Sequence, residues 1–289
     1  MGPFSYINYL TERDRRFITE AKSVAEETPV DLRRAKVAII TGASSGIGRV
    51  TAIALCKAGW TVVLSARRET ELQETARLCA EARASEANEK VALVVPGDVT
   101  KEEDVKTLFI RTMDEYGRVD LLFNNAGISG QSLPLEEIPL SNIEAVLQIN
   151  VLASIICTQY AIATFKNQTP KGGRIINNGS LAAHVPRPHG SIYAISKHAI
   201  LGLTKATSLE GRAHNIACTQ IDVGNAMTQM AAETANEGAL QPDGSTRTEP
   251  AIDAKHIANS IVHIASLPLD VTVLEMNIMA TGMPYVGRG

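Results

Sequence analysis

Short, uninterrupted apolar runs recur along this chain at 36–40, 61–65, 91–95, 121–124, 174–178, 216–221 and 271–276, separated by segments of helical length and mixed polarity. A run such as Val37-Ala38-Ile39-Ile40 has no polar residue at alternate positions. Such a run belongs to a strand buried on both faces, because a half-exposed strand alternates apolar with polar. Continuous short strands alternating with helices predict an α/β architecture, a doubly wound, mostly parallel sheet of about seven strands. The pattern runs through 36–280 without repeat, low-complexity tract or linker, so a single domain is expected.

Three stretches fall outside the pattern. Residues 1–35 form an N-terminal extension with a helix expected over 11–26, placed to pack on the domain or on a neighbouring subunit, and 281–289 form a C-terminal tail. The stretch 224–250, rich in Met, Ala, Thr and Gly, is a long connection leaving the carboxyl end of the sixth run. Long connections in compact domains are often lids or binding loops, and ligands of doubly wound sheets bind at strand carboxyl ends. Its small and polar residues predict a lid that is mobile without ligand, with Met227 and Met230 forming either an adaptable apolar substrate wall or plain loop packing.

Composition narrows the partners. Hydrophobic residues make up 45% of 289 and charged residues 20%, enough for a substantial core. The formal net charge of −3 and the absence of a long basic run argue against nucleic acid or an anionic membrane and for a small-molecule partner. No run of about eighteen apolar residues reads as a membrane span, and the amino terminus lacks the basic start and apolar core of a signal peptide. Pro3 after Gly2, and Tyr6 where Ser or Thr is wanted, disfavour myristoylation. A soluble, cytoplasmic protein is expected. Cys56, Cys79, Cys157 and Cys218 lie far apart in apolar surroundings and read as reduced core thiols.

The candidate chemistry sits at three places. Thr41-Gly42-Ala43-Ser44-Ser45-Gly46-Ile47-Gly48 follows the first apolar run and opens a helix-like segment. That strand–turn–helix context lets backbone approach a pyrophosphate at a helix N-terminus, where unpaired N–H groups and the dipole favour negative charge. Ser180 closes the fifth run, and thirteen residues later comes Tyr193-Ala194-Ile195-Ser196-Lys197. Tyr193 and Lys197, four apart, share one helix face. An ammonium beside a phenol favours the phenolate, which suits the tyrosine to proton transfer.

In these motifs the chain resembles the short-chain dehydrogenase/reductase family, over about residues 36–276. The resemblance implies a Rossmann-like domain and an oxidoreductase that interconverts a ketone or aldehyde and the corresponding alcohol. It implies a catalytic tetrad of Asn150, Ser180, Tyr193 and Lys197, with Asn150 holding a water that returns the proton through Lys197. It also implies that Asp98, followed by Val99, bonds the adenine edge, and that Asn124-Asn125-Ala126-Gly127 lines the adenosine ribose and steadies the sheet. A helix cap formed with Thr100 is the other reading of Asp98. After the sixth run, Val223 stands where the family commonly has proline, while Gly224 and Thr228 keep their places. Ala226 would then meet the nicotinamide carboxamide and Thr228 would add side-chain contacts. Family members are commonly dimers or tetramers, so a homodimer or homotetramer is expected.

Cofactor choice is read after the second run. An NAD site places an acidic residue roughly 20 positions beyond the glycines, and here that place holds Ala66, then Arg67 and Arg68. No carboxylate repels a 2′-phosphate, and guanidinium groups can grip one, which favours NADP(H). The other reading is a solvated arginine pair opening a helix. Many NADP-using relatives also carry a basic residue just before the second glycine, where this chain has Ser45.

His184 and His189 lie between Ser180 and Tyr193, where they would border the substrate pocket; the other reading is a structural or surface role, favoured because His189-Gly190 reads as a turn and nothing nearby in sequence completes a metal site. No metal is expected. Substrate identity is open between simple carbonyls, 3-oxoacyl thioesters and polyols or sugars. The carboxyl end lacks the glycine pair common in acyl-thioester reductases of the family. A nucleotide-sensing or scaffolding protein on the same fold is the non-enzyme alternative.

Overall fold

A computed structural model describes residues 35–83, 91–228 and 238–286. The N-terminal extension and its expected helix, Met230, and the last three residues lie outside the described residues.

The apolar runs become the strands β1 (Val37–Thr41), β2 (Thr61–Ala66), β3 (Ala92–Pro96), β4 (Leu121–Asn124), β5 (Gly173–Asn178), β6 (Ile216–Val223) and β11 (Glu275–Ile278). Between them lie α1 (Gly46–Lys57), α2 (Glu69–Arg83), α3 (Glu102–Tyr116), α4 (Leu140–Leu147), α5 (Ala153–Asn167), α6 (Ser191–Gly211) and α7 (Ala254–Ser266). Four two-residue strands, β7 (Ala226–Met227), β8 (Ala239–Leu240), β9 (Thr246–Arg247) and β10 (Ile252–Asp253), belong to the connection after β6.

The large sheet has the order β3-β2-β1-β4-β5-β6-β11, and every pairing in it is parallel. It is a Rossmann-like doubly wound domain. Strand order reverses between β1 and β4, and at such a switch point a crevice opens beyond the carboxyl ends. The sequence motifs therefore converge on one edge of the sheet.

Alternate residues of each central strand feed different cores, which is why the runs are continuously apolar. Ala38 and Ile40 join a cluster with Leu55, Leu64, Ile257 and Ile261 on one face, whereas Val37 and Ile39 join Phe109, Cys157, Phe165 and Ile175 on the other. Helix ends follow local chemistry. α3 opens with Glu102, Glu103 and Asp104 against its N-terminal partial charge and stops at Gly117, which takes the left-handed φ of 70°.

Two expectations need correction. The last strand starts at Glu275 rather than Val271, because the carbonyls of Leu267, Pro268 and Val271 all turn onto the buried Arg174 guanidinium, at 3.2, 3.0 and 3.0 Å, instead of extending the ladder. And one helical stretch, Leu140–Asn167, does hold an eighteen-residue window with the hydropathy of a membrane span, a mean of 1.6. Its α5 half packs Ala153, Cys157, Ala161 and Phe165 into the core, so it reads as a core helix of the sheet's cover.

Candidate active site

A cleft of about 1560 Å³ opens along the carboxyl edge of the sheet. Its floor at β1 is the glycine turn, left-handed at Gly42 (φ 64°) and Gly46 (φ 53°). A Cβ on Gly48 would lie 2.4 Å from the Gly42 carbonyl oxygen, and one on Gly42 would lie 2.9 Å from Ala126 Cα. These two glycines let the turn pack against α1 and the turn after β4. At Gly46 the nearest atoms to such a Cβ are 3.8 Å away on Thr228, so that glycine serves the backbone turn and leaves its surroundings open. Ser45 is the N-cap of α1 but makes no side-chain capping bond. The uncapped N–H groups of a helix start, with the dipole behind them, fit a cofactor pyrophosphate.

Arg67 and Arg68 both border the cleft beside Ser44 and Ser45. The Arg68 guanidinium donates to Ser44 Oγ at 3.1 Å and Ser45 Oγ at 3.0 Å and sits 3.5 Å from Glu71. Asp98 lies at the cleft and is tied to its own loop. It borders the cleft with Val99, and its Oδ1 also accepts from the Thr100 N–H at 3.0 Å and the Thr100 hydroxyl at 2.7 Å. Burial opposes its charge, but the Thr100 bonds with nearby Arg67 and Lys101 outweigh that and hold the carboxyl below its ordinary value.

The turn after β4 is tied in three directions. Thr41 Oγ1 accepts from the N–H groups of Asn125 (3.0 Å) and Ala126 (3.1 Å). Asn125 Nδ2 donates to the Thr41 carbonyl at 3.0 Å, and Asn125 Oδ1 accepts from Asn178 Nδ2 at 3.0 Å. Asn124 stands behind the cleft, fully in the sheet, where its Nδ2 donates to Thr158 and Asn177. Of this motif, Asn125, Ala126 and Gly127 face the cleft and Asn124 steadies the sheet.

Tyr193 and Lys197 stand one turn apart on α6, with Lys197 Nζ 5.5 Å from the phenol ring centroid. The buried ammonium donates to the Asn178 carbonyl at 2.7 Å. Ser180 follows β5 directly, and its Oγ accepts from the Ala182 N–H at 3.2 Å. That bond occupies a lone pair, so the hydroxyl proton is left to be donated. Tyr193 and Ser180 both face the cleft. Asn150 sits in a π-helical turn, Gln148–Leu152, that joins α4 to α5, the kind of bulge found at functional sites. Its amide accepts from Ile128 N–H at 2.9 Å and donates to Ile128 O at 2.9 Å and Ser196 Oγ at 3.0 Å. Both amide hydrogens are therefore committed, and the side chain fixes the chain after Gly127.

Of the two readings of His184, the structural one fits its place. It is absent from the cleft wall, because its ring turns inward and its Nε2 lies 2.9 Å from Asp222 Oδ2. Its neighbours were invisible along the chain: His184, Asp222 and Glu275 bring ligand-type atoms within 4.8 Å of one another. Glu275 is ion-paired with Lys205 at 3.2 Å, so the group is a hydrogen-bonded charge network.

On the substrate side, Gly224, Ala226, Met227 and Thr228 border the cleft, with Met227 62% exposed and ready to meet a ligand. The described half of the long connection is anchored more firmly than its composition suggests. Glu249 there pairs with Arg187 and accepts from Asn225 Nδ2 and Gln241 Nε2, each at 3.0 Å. Met283 and Tyr285, from the C-terminal segment, also reach the cleft. Sequence reading had no signal for them, since only tertiary folding brings that segment over the β6 turn.

The fold, the cleft and its residues define an oxidoreductase that works with a nicotinamide cofactor on CH–OH and C=O groups. The family model for short chain dehydrogenase matches residues 36–238, and the chain belongs to that family. It is 31% identical over 235 residues to the short chain dehydrogenase/reductase astE of Aspergillus oryzae, covering 80% of this chain and 88% of that protein. Among solved structures, it superposes on an alcohol dehydrogenase from the archaeon Thermococcus sibiricus complexed with 5-hydroxy-NADP, with a TM-score of 0.73, 24% identity, and coverage of 86% and 98% of the two chains. It also superposes on the 3-ketoacyl-(acyl-carrier-protein) reductase of Brucella melitensis complexed with NADH, with a TM-score of 0.74, 24% identity, and coverage of 85% and 97%.

Proposed function

We propose that this oxidoreductase uses NADP(H) to interconvert a ketone or aldehyde and its alcohol, with Tyr193 as the proton donor and acceptor. The observation that carries the reading is Tyr193, with the buried Lys197 beside its ring, facing a cleft that also holds Ser180, with two arginines at its far end. The residues fit the cofactor, since the glycine turn leaves room at Gly46 and an uncapped helix start for the pyrophosphate. When bound, the nicotinamide supplies or takes up the hydride.

In the reducing direction the carbonyl oxygen gains negative charge that a proton must meet. Tyr193 donates it as general acid, a contribution typically worth about 100- to 10,000-fold. Lys197, beside the phenol and held by the Asn178 carbonyl, would stabilise the negative charge left on the phenol oxygen and would hold the nicotinamide ribose. Ser180 donates its hydroxyl proton to the same carbonyl oxygen and fixes its orientation. Asn150 acts by holding the chain after Gly127 in place. In the oxidising direction Tyr193 is the base.

The preference for the 2′-phosphorylated cofactor rests on Ala66, Arg67 and Arg68. Ser45 lacks the charge that many NADP-using relatives place there, but Arg68 brings a guanidinium to the same spot by bonding Ser44 and Ser45. A phosphate docking there meets a charge already oriented. A turnover screen following nicotinamide absorbance with NADPH and NADH across ketones, aldehydes, acyl thioesters and polyols tests the proposal. Turnover of simple carbonyls with NADPH preferred supports it; preference for NADH, or turnover of none of the four classes, contradicts it.

A further inference from the structure

Asp222 is a carboxylate with no exposed surface, on the last turn of β6 beneath the catalytic serine. Buried charge is costly unless hydrogen bonds surround it, and here they do. Its Oδ1 accepts from the Ser180 N–H at 2.8 Å and from Gln220 Nε2 at 2.8 Å, while its Oδ2 faces His184 Nε2 at 2.9 Å. The approach is so close that a Cβ on Gly179 would lie 2.1 Å from Oδ1. An ionised carboxylate only accepts, so His184 Nε2 carries the proton in this bond.

One carboxylate thus closes the short turn 180–184 at both ends, through the backbone of Ser180 and the ring of His184. It also orients a chain of side chains across the sheet. Gln220 must present its amide nitrogen to Asp222, which turns its oxygen to within 3.3 Å of Thr204 Oγ1; the Thr204 hydroxyl donates at 2.9 Å to the Ile200 carbonyl and accepts from Asn177 at 2.8 Å, and Asn124 donates to Asn177 at 2.9 Å. Asn177, Thr204, Gln220 and Asp222 are all 0% exposed. Hydrogen bonds in a dry interior are costly to break, so this buried polar layer fixes the floor under Ser180.

We infer that Asp222 and His184 are positioning residues that set the Ser180 hydroxyl for the carbonyl oxygen. The inference rests on the proposed role of Ser180 and adds what holds it. The other charged or titratable groups facing this pair are Glu275 with its partner Lys205, and Tyr285, whose hydroxyl is made harder to ionise by burial and by Asp222.

The experiment measures kcat, KM and NADPH affinity of His184→Ala, His184→Gln and Asp222→Asn, with His184→Ala repeated in a Ser180→Ala background. His184→Ala is expected to lower kcat about tenfold, a part of the roughly 100-fold that loss of a whole transition-state donor costs, with NADPH affinity unchanged. Glutamine, which can still donate to Asp222, is expected to recover most of the rate. In the Ser180→Ala background the histidine substitution is expected to change kcat by less than about twofold, because groups acting as a unit are not additive. Asp222→Asn keeps the acceptor for Ser180, but its amide can be met only by a neutral imidazole. It is therefore expected to lower kcat about as far as His184→Ala does, with NADPH affinity unchanged. An unchanged kcat in His184→Ala or in Asp222→Asn, or an equal fall in both backgrounds, would overturn the inference alone. Normal turnover in Ser180→Ala would overturn the proposed role of the serine, and this inference with it.

Discussion

Arg68 and Ser45 are joined by a 3.0 Å hydrogen bond that crosses from the turn after β2 to the glycine turn after β1. The bond brings a positive charge to a place where the glycine turn has none of its own. Replacing both arginines by alanine is expected to weaken NADPH binding by about tenfold or more for each charge-assisted hydrogen bond to the phosphate that is removed, at ~1.5–3 kcal/mol apiece. NADH binding should be nearly unchanged. Ala66→Asp with Arg67→Ser should go further and reverse the preference. Titration of both cofactors against each variant checks this, and an equal loss for NADH would show that the arginines act only on the fold.

Gly48→Ala is expected to damage binding and stability together. The added methyl would fall 2.4 Å from the Gly42 carbonyl oxygen and 2.6 Å from Asn125 Nδ2, so the turn or the helix must move. Overpacking of this kind costs about 1–3 kcal/mol. Thermal unfolding with and without NADPH should show a lower midpoint and a smaller shift on adding cofactor.

Arg187 and Glu249 hold the described half of the long connection against the turn that precedes Tyr193. Burial works against the Glu249 charge, but the amides of Gln241 and Asn225 and the guanidinium of Arg187 outweigh it and keep the carboxyl below 4.5. With its folded value lowered, this group's contribution to stability is present above pH 4.5 and is lost as pH falls through the folded value. Amide exchange in 238–250 should therefore quicken on acidification. Arg187→Ala should quicken it at neutral pH and raise the carbonyl KM severalfold, leaving NADPH affinity intact.

The four cysteines are buried, and burial pushes the Cys157 and Cys218 thiols up to about 12. The Cys56 thiol is raised as well, by its hydrogen bond with Cys79 and then by burial. A thiol reagent should leave the native protein almost unlabelled and react with all four only on unfolding. Since the folded values lie above the ordinary 9.0, these thiols contribute fully below pH 9.0 and the contribution is lost as pH rises towards about 12. The unfolding midpoint should fall over that alkaline window.

What the sequence revealed, and what it hid, follows from how local each feature is. Val37 to Ile40 announce a two-sided strand because each residue's burial is set by the sheet alone, and Tyr193 and Lys197 meet because a helix turn brings them together. The strand at the far edge was misplaced because the carbonyl of Val271 is turned by Arg174, 97 positions away. His184 was assigned to the pocket by its position between Ser180 and Tyr193, but its direction is fixed by Asp222, 38 positions further on. Glu249 and Tyr285 gave no signal, since a carboxylate in a polar loop and a tyrosine near the end of a chain become site residues only when tertiary folding brings them there. In the described half of the loop, composition likewise gives no sign of one carboxylate gathering Arg187, Asn225 and Gln241.

The account stands or falls on the phenol of Tyr193. Tyr193→Phe keeps the ring and its packing beside Lys197 and removes only the hydroxyl, so the measurement is turnover of a carbonyl substrate with NADPH together with NADPH affinity in the same variant. The predicted result is a loss of kcat of about 100-fold or more with cofactor affinity nearly unchanged; turnover close to that of the parent protein would contradict it.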